Sequence, residues 1–326
     1  MVRVGVQADL PEELLGFFPK NGIELVKLPK DLRETVKVEF WVLPFNRVEA
    51  EGQMPFVQGV KVMQSPMAGV DWVLPWRRDG MTLCDGRGIH DVSTSEWVMT
   101  AILASLKWLP VYVKGQEERR WIGDSKLRNP FVSEGTHTRG RYRVLSEELW
   151  GRTVLIVGYG SIGAATEEKL KVFGVKNVIR VARSARTEPV EVHAIGELDA
   201  LLPQADVVVL LLPLTAETQG MFGRERLERL KKGALLVNAA RGPIVVTDDL
   251  VAVLEEGKIR AAVDVTDPEP LPEGHPLWST PNCLITPHIA GLTPNFMERG
   301  FGFIGKQIER YLKGEPLENV VGDAGY

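Results

Sequence analysis

Cysteine is almost absent from this 326-residue chain, which carries only Cys84 and Cys283. Two thiols cannot frame a disulfide-stapled fold, and so sparing a use of cysteine fits a reducing compartment. Long apolar runs are missing as well. The longest strongly apolar stretch, Val207–Leu212, stops at Pro213, far short of the ~20 residues a helix needs to cross a bilayer. Charge of one sign is not in excess either: 39 basic side chains stand against 43 acidic ones, a formal net charge of −4. That balance excludes a chain organised around an electrostatic footprint for nucleic acid or an anionic membrane. The opening residues, Met1-Val2-Arg3-Val4-Gly5-Val6, have no signal-peptide apolar core or cleavage site and read as an immediate strand, so a cytoplasmic protein is expected. No pair of Cys, His or carboxylates has metal-ligand spacing, no Ser–His arrangement sits on a nucleophile elbow, and no metal is expected.

What is present is an ordinary globular composition, 44% hydrophobic and 25% charged, at a length that fits about two domains of roughly 100–200 residues each. From residue 150 onward short apolar runs recur at helix-plus-strand spacing: Thr153–Val157, Asn177–Val181, Val207–Leu212, Ala234–Asn238, Ala261–Val265 and Cys283–Thr286. Strands apolar on both faces, alternating with helical lengths, predict a doubly wound parallel sheet of six strands. The helical stretches Ile162 to Phe173 and Arg224 to Leu230 run into Gly174 and Gly233, residues that accept a left-handed cap. Shorter signals at Val2–Val6, Gly22–Leu28, Phe40–Leu43 and Val60–Gln64 predict a separate, smaller α/β unit. Between the units, Ser93-Thr94-Ser95-Glu96 has capping-box spacing and Trp97, Ala101, Ala104 and Trp108 recur on one face, which predicts a linking helix ended by Pro110. Its tryptophans read as packing residues. Lys114 to Arg143 carries eight basic and four acidic residues with few aromatics among them, a solvated arm or subunit contact rather than a nucleic-acid patch. The segment from Phe296 to Leu312, closed by Gly314, reads as another helix.

Gly158-Tyr159-Gly160-Ser161-Ile162-Gly163 follows the strand Thr153–Val157 and opens a helix. In that context the pattern is a dinucleotide loop: the first glycine makes the turn, the second admits the pyrophosphate and the third lets helix and strand pack closely. The helix N-terminus then offers N–H groups and partial positive charge to the phosphates. An acid about 20 residues further on would accept the ribose 2′-OH of NAD, but that place holds Arg183. Arg180, Arg183 and Arg186 cluster around Ser184, and the nearest acid, Glu188, stands before Pro189. Guanidinium groups suit a 2′-phosphate, so Arg183, Ser184 and Arg186 are expected cofactor contacts and NADP(H) is expected ahead of NAD(H).

Three later strands each run into residues that chemistry uses: Ala239-Ala240-Arg241-Gly242-Pro243, Asp264-Val265-Thr266-Asp267-Pro268-Glu269, and Pro287-His288-Ile289-Ala290-Gly291. Open α/β sheets bind ligands beyond the carboxyl ends of their strands, so these segments are expected to converge on a nicotinamide. His90, His137, His193 and His275 lack such a context.

With these motifs, and with Ser65-Pro66-Met67-Ala68-Gly69-Val70-Asp71 and Pro213-Leu214-Thr215-Ala216-Glu217-Thr218, the chain resembles the D-2-hydroxyacid dehydrogenases over nearly its whole length. That family includes glyoxylate/hydroxypyruvate reductases, glycerate dehydrogenases and phosphoglycerate dehydrogenases. The resemblance implies a Rossmann domain, residues 95–291, inserted into a smaller flavodoxin-like substrate domain of residues 1–94 and 292–326. It implies that His288 exchanges the hydroxyl proton, that Glu269 holds the imidazole and stabilises its charged form, and that Arg241 forks onto the substrate carboxylate, with backbone N–H groups of Ala68 and Gly69 completing the anion site. Leu212, Pro213, Thr218, Ala239, Ala240, Asp264 and Gly291 join the cofactor site by the same resemblance, Asp264 at the nicotinamide end, and a homodimer through the cofactor domain and the 114–143 arm is implied. The substrate is then a small 2-oxo acid, glyoxylate or hydroxypyruvate. An NAD-dependent phosphoglycerate dehydrogenase and an NAD(H)-sensing corepressor-like binding protein are the alternatives, while formate dehydrogenases carry Gln where this chain has Glu269. Thr266 departs from the family's usual aromatic residue.

Overall fold

The computed structural model describes residues 1–122 and 146–322, so most of the 114–143 arm and His137 lie outside the described residues. The chain divides into two compact units, Met1–Ser93 with Leu292–Tyr326, and Thr94–Gly291.

In the smaller unit the elements run β1 (Val2–Gln7), α1 (Glu12–Leu15), β2 (Ile23–Leu28), β3 (Val36–Lys37), β4 (Phe40–Val42), α2 (Arg47–Gln53), β5 (Val57–Gln58), β6 (Val62–Gln64) and β7 (Thr82–Cys84). Five strands form a sheet in the order β2-β1-β4-β6-β7, every neighbour parallel, which is the flavodoxin-like order. β3 and β5 make a separate parallel pair. Along β4 the side chains alternate between two cores. Phe40 and Val42 pack with Val4, Val6 and, from the C-terminal helix Pro294–Lys313, Phe301, Ile304 and Ile308. Trp41 packs on the other face with Leu28, Met63 and Leu83. A parallel sheet covered on both sides needs this two-faced apolarity, and it draws the last helix of the chain back into the unit that the first strand began.

The larger unit continues through α3 (Asp91–Leu106), α4 (Leu109–Glu117), β8 (Thr153–Val157), α5 (Ser161–Val172), β9 (Asn177–Ala182), β10 (His193–Ala194), α6 (Leu198–Leu201), β11 (Val207–Leu210), α7 (Arg224–Arg229), β12 (Leu235–Asn238), α8 (Thr247–Glu255), β13 (Arg260–Val263) and β14 (Cys283–Ile285), before the C-terminal helix, α9. Its sheet has the order β10-β9-β8-β11-β12-β13-β14 and is parallel throughout. Leu155 and Val157 enter one core with Val208, Leu210 and Leu236, while Val154 and Ile156 enter the other with Val207, Val209 and Val237. Strand order reverses between β8 and β11, and the crevice beyond the carboxyl ends at such a point is where open α/β sheets take their ligands.

Three expectations need correction. The sheet has seven strands, because the two-residue β10 is too short to show periodicity. β11 stops at Leu210, not Leu212: a side chain at Gly158 would stand 2.4 Å from Leu212 N, so the chain leaves the sheet there by passing closely over the β8 turn. The linking helix starts at Asp91, ahead of the supposed capping box, and Ser93 donates its hydroxyl back to the His90 carbonyl at 3.2 Å. It also breaks. Trp108 adopts a left-handed φ of 57° and Pro110 opens α4, since the first turn of a helix needs no N–H from proline.

Candidate functional site

The β8–α5 turn carries the glycine loop. Gly158 has φ +95° and its missing Cβ leaves room for Leu211 and Leu212, so both the turn and the close approach demand glycine. Gly163 lies against Ile156 and Tyr159, with Cβ distances of 3.3 and 3.2 Å, the tight packing of helix on strand. At Gly160 the reason differs, because a Cβ there would meet nothing within 4 Å. The space a side chain would fill lies open at the N-cap of α5, where no side chain caps the helix. A cradle of backbone at a helix N-terminus fits a pyrophosphate, and the residues present therefore fit a dinucleotide.

Beyond β9 the three arginines part company. Arg180 does not belong with the others: it is half-buried and forms a two-pronged ion pair with Glu167 of α5, one bond at 2.5 Å. Arg186 is exposed, and its Nη2 donates to the Tyr159 carbonyl at 3.0 Å. Arg183 and Ser184 are exposed and their side chains make no hydrogen bond or ion pair among the described residues. Glu167 is buried and also accepts from Lys171 Nζ at 2.7 Å and Tyr159 Oη at 2.7 Å. Burial alone would raise its pKa, but the hydrogen bonds from Arg180, Lys171 and Tyr159 outweigh it and draw the carboxyl down to about 2. The acid is thus more readily ionised in the folded than in the unfolded chain, and its contribution is complete above the ordinary value and lost as pH falls toward 2. Glu167→Gln is expected to cost about 3 kcal/mol in urea unfolding at pH 7, shrinking to about half or less by pH 3. A difference that is the same at both pH values would contradict this account.

His288, Glu269, Asp264 and Arg241 all stand past the carboxyl ends of the adjacent strands β12, β13 and β14. His288 Nδ1 lies 2.6 Å from Glu269 Oε1, both side chains 40–50% exposed, at 46% and 41%. The histidine takes φ 54°, a left-handed conformation sustained by its surroundings: its N–H donates to the Asp264 carbonyl at 2.7 Å. Asp264 is 2% exposed. Its carboxylate accepts from Thr286 Oγ1 at 2.5 Å, Ile289 N at 2.9 Å and Ala290 N at 2.8 Å, and Thr286 in turn accepts from Trp97 Nε1 at 3.0 Å. Asp264, the residue expected at the nicotinamide end, also holds through its carboxylate the turn that carries His288. Trp97, expected as packing, also braces that turn.

Arg241 is extended, φ −144°. Buried Asn238, the last residue of β12, staples the chain before it, donating from Nδ2 to the Arg241 carbonyl at 3.1 Å and accepting from Ala240 N at 3.1 Å. Next to it a Cβ on Gly242 would fall 1.9 Å from the Thr266 carbonyl oxygen, so the Arg241 and Glu269 segments touch through backbone and only glycine permits it. Thr218 donates to the Pro213 carbonyl at 2.7 Å and accepts from Thr215 N at 2.7 Å, closing the loop beyond β11. In the smaller unit the Ser65–Asp71 loop follows β6; Ser65 Oγ lies 3.0 Å from the Met67 N–H and carbonyl, and Gly86 N donates to the same carbonyl at 2.8 Å. Asn238, Thr286, Tyr159 and Glu167 are the supporting residues that sequence reasoning missed. A polar residue closing an otherwise apolar run was the local sign, at Asn238 and at Thr286.

A glycine loop at the switch point of a Rossmann sheet, with a paired histidine and carboxylate and an arginine on neighbouring strand ends, defines a dinucleotide-dependent dehydrogenase. Residues 100–290 match the family model for the D-isomer specific 2-hydroxyacid dehydrogenase, NAD binding domain. A glyoxylate reductase from Thermofilum pendens is 33% identical over 279 residues, 83% of this chain and 77% of that protein. A formate dehydrogenase from Arabidopsis thaliana is 38% identical over 253 residues, 74% of this chain and 60% of that one. Among solved structures, an NADPH-dependent glyoxylate/hydroxypyruvate reductase from Sinorhizobium meliloti, in complex with NADP and sulfate, superposes with a TM-score of 0.81 at 29% identity over the full length of both chains. The chain belongs to the D-isomer specific 2-hydroxyacid dehydrogenase family and is an NAD(P)-dependent oxidoreductase acting on CH–OH donors. Among the described residues no helix is long and apolar enough to cross a membrane.

Proposed function

We propose that the protein reduces a small 2-oxo acid, glyoxylate or hydroxypyruvate, to its 2-hydroxy acid with NADPH. The observation that carries the reaction is the 2.6 Å pairing of His288 with Glu269 beyond the sheet that bears the dinucleotide loop. Glu269 occupies Nδ1, which leaves Nε2 as the proton donor to the ketone oxygen and fixes the ring's orientation. Arg241 forks onto the carboxylate. Asp264 and Thr286 hold the His288 turn rather than react. Gly158, Gly160, Ser161, Ile162 and Gly163 hold the pyrophosphate, Leu212, Pro213, Thr218, Ala239, Ala240 and Gly291 line the remainder of the cofactor site, and the nicotinamide, when bound, supplies the hydride at C2.

NADPH is favoured because β9 is followed by Arg183, Ser184 and Arg186, with no acid where a ribose 2′-OH would need one. The likeness to the NADPH-dependent reductase supports the same choice. A homodimer formed through the larger unit and the 114–143 arm belongs to this reading, and light scattering on the eluted peak should give twice the chain mass. Purified protein is expected to oxidise NADPH with glyoxylate or hydroxypyruvate at a kcat/KM at least about tenfold above that with NADH. The panel includes phosphohydroxypyruvate, and formate with NAD(P)+. An NADH preference would overturn the cofactor assignment, and turnover of formate or of the phosphorylated acid alone would overturn the substrate.

A further inference from the structure

We propose that Tyr159 is a specificity-determining residue, its ring and carbonyl holding the Arg186 guanidinium ready for a phosphate monoester, the 2′-phosphate of the dinucleotide. The inference rests on the NADP(H) reading above and adds the residue that makes that reading work. Tyr159 is the second residue of the glycine loop, a place where the loop's geometry asks nothing of the side chain. Here it is an aromatic ring with two guanidinium groups near it, Arg180 Cζ at 5.7 Å and Arg186 Cζ at 5.6 Å from its centroid. A ring face attracts a cation, but two cations on one ring are tolerable only if one is neutralised. Glu167 does this, taking Arg180 in a two-pronged pair and accepting from Tyr159 Oη at 2.7 Å, which also fixes the ring. Of the two guanidinium groups near the ring, Arg186 is the one without an acidic partner.

Arg186 is also held at its backbone, which exchanges reciprocal hydrogen bonds with Val192 at 3.0 and 2.8 Å. Its guanidinium gives one N–H to the Tyr159 carbonyl and keeps its remaining donors for a ligand, while the side chain as a whole is exposed. Anchored at both ends, it loses less freedom on binding an anion than a mobile side chain would. Arg183, exposed and without a side-chain partner, has no such preparation and acts as an auxiliary charge.

The experiment is equilibrium titration of the full chain and its variants with 2′,5′-ADP and with 5′-AMP, two probes that differ only in the 2′-phosphate. The wild-type protein is expected to prefer 2′,5′-ADP. Arg186→Ala abolishes that preference and Arg183→Ala weakens it less. Tyr159→Leu, which removes the ring, lowers it about fivefold with 5′-AMP affinity unchanged, and Tyr159→Phe, which keeps the ring, restores it to within about twofold of wild type. Full preference in Tyr159→Leu beside its loss in Arg186→Ala would overturn the role of Tyr159 and leave the NADP(H) reading standing. Equal loss in the Phe and Leu variants, or loss of 5′-AMP binding in Tyr159→Leu, would overturn it too, since either marks a structural residue. No preference in the wild-type protein would overturn both inferences.

Discussion

His288→Ala is expected to lower kcat for 2-oxo acid reduction by about 10³-fold, with the cofactor dissociation constant changed by less than about threefold. The size follows from what the ring supplies. A positioned acid delivers the proton as the ketone oxygen gains charge, and the 2.6 Å bond to Glu269 removes the rotational freedom that would otherwise spoil the delivery. The neighbouring supports survive the substitution, because Asp264 grips the turn through the backbone N–H groups of residues 289 and 290 and not through the imidazole. Cofactor titration of the variant therefore separates lost chemistry from lost structure. A kcat within tenfold of wild type would remove His288 from the proton-transfer role.

The second large effect belongs to Arg241. Arg241→Ala is expected to reduce kcat/KM by about 10³-fold and Arg241→Lys to recover only a small part, measured by steady-state kinetics with saturating NADPH. A carboxylate held by a fork has both its oxygens and its plane defined, whereas an ammonium supplies one point of charge and no plane. The extended backbone of Arg241, stapled from below by Asn238, fixes the origin of that fork. Lysine at full kcat/KM would mean that simple charge suffices and would defeat the proposed geometry.

Arg241, Glu269 and His288, the residues proposed for the chemistry, could be placed from the sequence because each follows a run of apolar residues within a few positions, and strand ends are visible from local pattern alone. Six of the seven strands of the larger sheet were expected within a residue or two at most ends; the exception, β10, has only two residues to show. The linking helix misled for a local reason. Ser93-Thr94-Ser95-Glu96 satisfies the spacing of a capping box, yet the hydrogen bond that defines a cap depends on where the chain before it goes, and the helix begins at Asp91. The arginines of the second strand show the same limit more sharply. Arg180, Arg183 and Arg186 are equivalent as a sequence cluster, and only the position of α5 sets Glu167 against the first of them.

By itself the sequence determined the two-unit α/β architecture, the dinucleotide loop and the histidine, glutamate and arginine at the strand ends, because apolar periodicity and turn chemistry act over a few residues. The tertiary structure alone decided which charged and polar groups are spent on one another: Asp264 on the His288 turn, Asn238 on the Arg241 segment, Glu167 on Arg180. Those pairings join residues brought together by the packing of separate elements, where burial makes an unpaired charge costly. Arg183 and Arg186 are left without an acidic partner by those pairings, and they are the groups proposed to meet the 2′-phosphate.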